Sequence, residues 1–153
     1  MAKAGKAKVD PAAKLVVCRN PKALQRYEIE ERIEAGMVLL GSEVKSLRGK
    51  GADLDGAYAA FEGQELFLHK MHIAPYLQAG PHYGHEIRRS RKLLLHHRQL
   101  ERLYGSLTMQ GYTLVPLEVY FKNGVAKVEL GLGRGKKKAD VRHDIRKKQD
   151  MAD

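Results

Sequence analysis

The sequence predicts a mainly β protein, a small closed antiparallel barrel with two or three short peripheral helices. Two observations predict this fold. Several short apolar runs that alternate with polar residues follow one another, separated by glycine, proline and asparagine. The last two runs, 112–121 and 125–132, are joined through Asn123 and Gly124, and Asn-Gly between such runs is the strongest short-range hairpin signal. A chain of 153 residues has the length of one domain, and small barrels of this kind carry oligonucleotides on one face.

The predicted barrel occupies residues 14–132 and lies between two basic segments. Residues 1–13 offer little that can pack, and we predict a flexible basic arm there. From residue 133 onward apolar residues nearly vanish, which predicts a flexible basic tail over 133–153. The basic residues of this tail are Arg134, Lys136, Lys137, Lys138, Arg142, Arg146, Lys147 and Lys148.

The first half of the chain predicts a strand followed by a short helix. A short apolar run, 15–18, stops at Asn20, which Pro21 restricts to an extended conformation. Residues 25–34 alternate as a half-buried strand does, although two of their isoleucines also suit a helix. Gly36 allows a bend or bulge, and residues 37–40 resume an apolar strand.

Residues 41–48, Gly-Ser-Glu-Val-Lys-Ser-Leu-Arg, predict a short amphipathic helix. Val44 and Leu47 are three apart and can face the core, whereas Lys45 and Arg48 form a neighbouring cationic edge. This edge is the first candidate contact for an anionic partner.

The second half predicts two hairpins around a helix. Residues 57–62 and 65–72 flank Gly63-Gln64 as paired strands. A long irregular excursion, 74–90, leads into a basic cluster at 88–92, and a stripe of apolar residues from Leu100 to Leu107 predicts a helix that Gly111 would end. In the last hairpin, Pro116 cannot donate to a ladder, so its side of the strand should be an edge or a bulge.

The composition favours a polyanionic partner in the cytoplasm. The formal net charge is +10 and the sequence pI is about 9.7, a balance typical of proteins that bind nucleic acid and, less often, anionic membranes. Cys18 is the single cysteine, which excludes an internal disulfide and indicates a reducing compartment. No run approaches the 18 apolar residues of a spanning helix, so we expect no membrane insertion.

No motif predicts catalysis, a cofactor or a bound metal. A phosphate loop ending at Gly135-Lys136 would need glycine at position 130 and serine or threonine at 137, where the chain has leucine and lysine. Two histidine pairs, 69/72 and 82/85, leave a metal-dependent hydrolase as an alternative. The first pair lies on a predicted strand, where residues three apart point to opposite faces and cannot easily bind one ion. We therefore expect that the protein is not an enzyme.

Nucleic-acid binding is the function that the basic residues favour. They recur on the predicted helix 41–48, at 88–92 and in the tail, and interleaved aromatics offer stacking surfaces. The aromatics are Tyr76, Tyr83, Tyr104 and Tyr120.

Several blocks together resemble one family, the bacterial SsrA-binding proteins, also called small protein B. The likeness covers residues 14–148 nearly throughout, with its blocks in the right order. These blocks are 30–36, 41–48, 71–76, 91–96, 120–124, 128–131 and 135–137. The resemblance implies an OB-fold barrel that binds the tRNA-like domain of transfer-messenger RNA (tmRNA, or SsrA RNA). It also implies delivery of that RNA to ribosomes stalled with a vacant A site, the process of trans-translation, by a monomer in a 1:1 complex.

The resemblance also implies individual RNA contacts. Asn20, Glu34 and Leu94 match residues that the family uses near its RNA-binding face. On the sequence alone they are equally well a turn-capping asparagine, a cross-strand glutamate and a core leucine. We assign phosphate contacts to Lys45, Arg48, Arg91 and Lys92.

For the tail, the resemblance implies disorder when free and a helix in the empty messenger channel of the ribosome. Arg142 and Arg146, four apart, would share one face of that helix. The chain departs from the family at 139–142, Ala-Asp-Val-Arg, where an aromatic residue or histidine followed by Asp-Lys-Arg is common, and its tail is shorter than usual. The runner-up function is a general single-strand-binding or ribosome-associated OB protein with no preference for tmRNA.

Overall fold

The structure, a computed structural model, describes residues 14–76, 84–109 and 111–136. This part of the chain forms nine strands and three helices. The strands are β1 Lys14–Arg19, β2 Tyr27–Met37, β3 Ala52–Asp53, β4 Tyr58–Glu62, β5 Glu65–His69, β6 His72–Ile73, β7 Arg91–Leu94, β8 Tyr112–Lys122 and β9 Val125–Gly135. The helices are α1 Pro21–Arg26, α2 Gly41–Arg48 and α3 His97–Leu107.

Seven strands form one antiparallel sheet that closes into a ring, so the predicted mainly β, OB-like barrel is confirmed. The strand order is β1-β8-β4-β5-β7-β2-β9, and β9 pairs again with β8 to complete the ring. Closure leaves no open edge between β8 and β9. Strands β3 and β6 make a separate two-stranded ladder.

The β8–β9 hairpin follows the prediction. Lys122 pairs with Val125, and Asn123 and Gly124 have φ angles of 54° and 76°, the left-handed values that favour these residue types in a tight turn. The pairing register shifts between Pro116 and Glu118, which is the bulge expected where a proline interrupts the ladder.

Strand β9 continues to Gly135, where it pairs with Tyr27 of β2. Gly133 is required in this ladder because a Cβ atom there would lie 2.2 Å from the carbonyl oxygen of Glu28. Residues 133–135, which we predicted at the start of the tail, therefore lie in the barrel. Residues 1–13 and 137–153, which hold the predicted arm and most of the tail, lie outside the described residues.

The main core fills the ring and is closed by two of the helices. Leu47 of α2 and Leu103 of α3 are fully buried in this core. A smaller apolar cluster lies under α1, where Ala23 packs with Val115 and Leu117. The helices thus cover the barrel and fix which of their faces remain exposed.

Helix α1 was missed, because we used Pro21 only to restrict Asn20 to an extended conformation. Residues 25 and 26, which we predicted as the start of a strand, form the last turn of α1. Proline occupies the first turn of α1, where its missing N–H costs nothing and its fixed φ suits the helix. The expected strand over residues 37–40 was also wrong beyond Met37, since the N–H of Val38 makes the last bond, to the carbonyl of Lys92, before the chain turns toward α2.

Three further features differ from the prediction. The bulge of β2 lies between Ile29 and Glu31 and not at Gly36. Strand β5 ends at His69, because Lys70 with a φ of 64° turns the chain. Helix α3 ends at Leu107, before Gly111.

Candidate nucleic-acid interface

Helix α2 presents the cationic edge that the sequence predicted. Lys45 and Arg48 are exposed, and their charged groups lie over aromatic rings, 5.3 Å from the ring centre of Tyr76 and 4.7 Å from that of Phe121. Such cation–π contacts hold a long side chain against the protein while its charge stays in solvent. Both cations therefore remain available to phosphate.

The start of α2 is held by a buried carboxylate that the sequence analysis passed over. Glu43 has no exposed surface, and its Oε1 accepts a 2.8 Å bond from the backbone N–H of Leu40. It also accepts bonds from the guanidinium groups of Arg89, at 2.6 Å, and Arg91, at 2.7 Å. Burial acts to raise the pKa of Glu43, but these donors outweigh it and leave the pKa below its ordinary value.

The assignment of Arg91 to phosphate contact is not supported by its position, because the side chain is fully buried. Its guanidinium pairs with Glu43 and donates to the backbone carbonyls of Met71, at 2.6 Å, and Ile87, at 3.2 Å. Arg91 thus ties α2 to two other parts of the chain, and no surface of it is left for RNA. The signal that could have found this pair is the position of Glu43 on the same helical face as Leu47, four residues later.

Glu34 and Leu94, which the resemblance assigned with Asn20 to the RNA-binding face, line one groove. Gly36 of β2 pairs with Leu94 of β7, and beside them lies a cavity of about 450 Å³. Leu94 is 53% exposed, so it is a surface residue and not a core leucine. The groove, called here the Glu34 groove, is lined by Glu34, Gly36, Leu94, Leu95, His96, Gln99 and Lys127.

The carboxylate of Glu34 is fixed by a strand on the far side of β9. It accepts a hydrogen bond from the hydroxyl of Tyr120 and lies 3.5 Å from the ammonium of Lys122. The bond from Tyr120 is the main cause that lowers the pKa of Glu34, and Lys122 and Lys127 add to it. Glu34 is therefore ionised near neutral pH and is an acceptor for amino or hydroxyl donors.

Two other predicted contacts lie apart from this groove. Asn20 precedes α1, and its side-chain NH2 donates to the carbonyl of Pro116 at 2.8 Å. It lines a separate cavity of about 200 Å³. Lys92 is 44% exposed on β7 and pairs with Glu65, so a phosphate there would compete with that carboxylate.

The start of the predicted tail is partly within the barrel. Arg134 is exposed at the end of β9, with its guanidinium 4.3 Å from the ring centre of Tyr112, and the N–H of Lys136 donates to the carbonyl of Arg26 at 2.8 Å. The other predicted ribosome contacts lie outside the described residues. These are Lys137, Lys138, Arg142 and Arg146.

The described residues give no support to the metal-site alternative. Among them, no group of three or more histidine, cysteine, aspartate or glutamate side chains is placed to hold a metal ion. His69 shares a 2.8 Å hydrogen bond with Ser90, and His82 lies outside the described residues. None of the described helices is long and apolar enough to cross a membrane.

The comparisons with known proteins agree on one family. The family model for the SmpB protein matches residues 17–153. The SsrA-binding protein of Pelobacter propionicus is 51% identical over 133 residues, which cover 87% of each chain. That of Geobacillus thermodenitrificans is 52% identical over 134 residues, which cover 88% of this chain and 86% of the relative.

A solved structure gives the same result in three dimensions. It is described as "tmRNA-SmpB: a journey to the center of the bacterial ribosome", and the matching chain superposes with a TM-score of 0.62. The two chains are 47% identical, and the match covers 84% of this chain and 87% of the other. The fold, the sequence identity and the extent of the match together show that this chain belongs to the SmpB family of SsrA-binding proteins.

Proposed function

We propose that this protein binds tmRNA, through its tRNA-like domain, and delivers it to stalled ribosomes for trans-translation. The observation that carries the proposal is the Glu34 groove, where a fixed carboxylate, an exposed leucine and Lys127 lie side by side on the barrel of an SsrA-binding family member. The role is one of binding, without chemistry of its own, and its place is the cytoplasm, where ribosomes translate.

The groove suits an unpaired or splayed nucleotide of a folded RNA. Glu34 accepts from a base amino group or a ribose hydroxyl, and Leu94 packs against a base or sugar. Lys127 lies close enough to Glu34 to lower its pKa, so a phosphate attached to the same nucleotide can reach the ammonium. An RNA that exposes such a nucleotide is recognised at its base and sugar, and the duplex part adds contacts to phosphates and 2′-hydroxyl groups.

The phosphate contacts are best assigned to Lys45 and Arg48, with Lys92 as a weaker one. Arg91 supports this surface indirectly, because Glu43 joins it to the helix that carries both cations. Arg134, Lys136 and the basic residues of 137–153 are the proposed ribosome contacts. We propose one copy of the chain for each tmRNA.

Competition binding tests the proposal. The full chain is titrated with the tRNA-like domain of tmRNA near physiological salt, against excess ordinary tRNA and unstructured RNA. We expect binding that survives both competitors. Binding erased by either would instead favour the general single-strand-binding protein.

A charge variant tests the helix α2 contact. Arg48→Ala should weaken tmRNA binding by about 1–3 kcal/mol, as expected for a hydrogen bond to a charged group. Arg19→Ala is the matched control, because Arg19 is 71% exposed on β1 and pairs with Glu118. Equal losses in both variants would mean that the overall positive charge, and not α2, accounts for the binding.

A further inference from the structure

Three aromatic side chains form a patch on the outer face of the barrel. Phe67 and His69 of β5 flank the buried Leu68, and Tyr58 of β4 pairs with His69 across the ladder. The ring centres of Tyr58 and His69 are 5.3 Å apart. Those of Phe67 and His69 are 6.2 Å apart, with the two ring planes 29° from parallel. We call this patch, defined by Tyr58, Phe67 and His69, the aromatic platform.

The platform is held in place and remains partly exposed. His69 is fixed at both ring nitrogens, because Nδ1 lies 2.8 Å from the hydroxyl of Ser90 and Nε2 lies 3.5 Å from the carboxylate of Glu62. Phe67 is half-buried and faces Ala60 across the ladder, whose methyl group is too small to cover the ring. Tyr58 is 37% exposed. A planar ligand that stacks here therefore immobilises little of the protein that is not already ordered.

Cations lie near the end of the platform that Tyr58 forms. The ammonium of Lys70 is 5.9 Å from the centre of the Tyr58 ring, and Arg88 donates to the backbone carbonyl of Lys70 at 3.3 Å. Tyr58 also lines the cavity of about 200 Å³ described above, together with the exposed cations Lys22 and Arg26. Aromatic faces beside cations are the combination that binds single-stranded nucleic acid.

The carboxylates of the same face are placed differently. Glu62 and Glu65 pair with each other next to the β4–β5 turn, at the opposite end of the platform from Lys70. Glu65 is paired with Lys92, and Asp55 on the cavity wall is paired with Lys22. The face therefore changes from acidic at the turn to basic beyond Tyr58, which favours a polyanion whose phosphates lie at the basic end.

The platform continues into the Glu34 groove. Phe67 pairs with Lys92 of β7. Lys92 and Leu94 are two apart on that strand, with a buried leucine between them, so both point to the outer face. Leu94 lines the Glu34 groove. One outer surface thus runs from the groove, across β7, to the aromatic platform.

We propose that the aromatic platform binds unpaired RNA bases by stacking, next to the nucleotide that the Glu34 groove holds. A base stacks on the ring of Tyr58 or Phe67, and its phosphates meet Lys70 and Arg88. Because every base has a π face, the platform adds affinity without a sequence preference. The inference rests on the proposed function for its choice of RNA as the partner, and it adds a second binding surface on the other side of β7.

Two oligomers of equal charge test the stacking without any variant. Hexaadenylate and an abasic hexamer with the same phosphates are titrated into the full chain, and the ring signals are followed by NMR. We expect hexaadenylate to shift the ring signals of Tyr58, Phe67 and His69, and the abasic hexamer to leave them unchanged. Equal shifts from both oligomers would overturn the proposal, because the contact would then depend on charge alone. Hexaadenylate shifts that spare all three rings would also overturn it and would leave this face to a partner of another class, such as a protein.

Aromatic variants measure the contribution of the platform to affinity. Tyr58→Leu and Phe67→Leu keep an apolar side chain on each strand but remove the ring. Each should weaken hexaadenylate binding about fivefold or more, the lower end of the range for one base–aromatic stack, and leave the affinity for the abasic hexamer unchanged. Tyr104→Leu, which removes a ring that is 53% exposed on α3, is the matched control and should change neither affinity. An equal loss in Tyr104→Leu, or no loss in either platform variant, would contradict the proposal.

The tRNA-like domain of tmRNA separates this proposal from the proposed function. Glu34→Gln should weaken binding of that domain and leave the hexaadenylate shifts of the platform rings in place. If the unmodified chain showed those shifts but no preference for the tRNA-like domain, the proposed function would fail and the platform would stand. If the preference were present and the shifts absent, the platform alone would be refuted.

Discussion

Two carboxylates in this protein each receive two cations, one in the interior and one on the outer surface of the barrel. Glu43 pairs with Arg89 and Arg91, and both Glu43 and Arg91 have no exposed surface. Glu118 pairs with Lys14 and Arg19, whose side chains are 41% and 71% exposed. The pairing distances are similar, between 2.6 and 3.0 Å, but the surroundings differ.

The difference indicates which charges hold the proposed RNA-binding surface of α2 in place. Each ion of a buried pair loses its hydration, so water does not replace a partner that is removed. Without Arg91, the buried Glu43 keeps only Arg89 and the N–H of Leu40. At the surface, water and salt replace a lost partner at little cost. The interior cluster around Glu43 therefore positions α2 and its two exposed cations, whereas the Glu118 cluster joins the outer faces of β1 and β8.

The largest effect is expected from Arg91→Met. The variant leaves Glu43 buried without its fully buried partner, so we expect a loss of about 3–5 kcal/mol in the free energy of unfolding. Urea unfolding followed by circular dichroism measures it. The double variant Glu43→Leu, Arg91→Met removes both charges and should recover most of the loss. If Arg91→Met lost less than about 1 kcal/mol, the pair of Glu43 and Arg91 would contribute no more to stability than an ordinary surface ion pair.

The pH dependence of stability should separate the same two clusters. Hydrogen bonds from cationic neighbours and, at Glu43, from a backbone N–H keep the pKa values of Glu43 and Glu118 below ordinary, against the effect of burial. A carboxyl group with a lowered folded-state pKa adds stability that is complete above its unfolded pKa, about 4.3, and is lost as pH falls through the folded value. Unfolding free energies between pH 6 and 2.5 should therefore fall less steeply in Glu43→Leu, Arg91→Met than in the unmodified chain.

Glu118→Gln provides the surface control for that titration. We expect a smaller flattening in the same acidic range, because solvent screens its two exposed cations. An equal flattening in both variants would show that burial does not distinguish the two carboxylates.

The buried cluster also marks where sequence reasoning stops. Local signals predicted the β8–β9 turn at Asn123-Gly124 and the exposed cations of α2, since each depends on residues a few positions apart. The bond between Arg91 and Glu43 joins residues 48 positions apart. Because Arg91 stands among the basic residues Arg88, Arg89 and Lys92, the sequence suggests that it is a surface residue. Only the fold shows that its side chain is buried. For the same reason the resemblance could name Glu34 and Leu94 as residues near one face, but the groove between them became visible only through the pairing of β2 with β7.

Tyr120→Phe tests an intermediate case between interior and surface. Tyr120 is 2% exposed, and its hydroxyl donates to the half-exposed carboxylate of Glu34. We expect a loss of about 1.5 kcal/mol in unfolding free energy, the lower end of the range for a hydrogen bond to a charged group, because water reaches the carboxylate of Glu34. Tyr104→Phe, on the exposed side of α3, is the matched control and should change stability by less than about 0.5 kcal/mol. A similar small change in both variants would mean that a hydrogen bond from water replaces the bond from the Tyr120 hydroxyl to Glu34.

The smallest effect is expected from Arg19→Gln. The residue shares Glu118 with Lys14, so the carboxylate keeps one cation when the other is removed. We expect a loss of about 0.2–1 kcal/mol at low salt that disappears in 0.5 M sodium chloride, because exposed pairs are screened. Urea unfolding at the two salt concentrations measures it. A loss that persists at high salt would show that the outer cluster behaves like the buried one, and that exposure of the cations is not what separates Glu118 from Glu43.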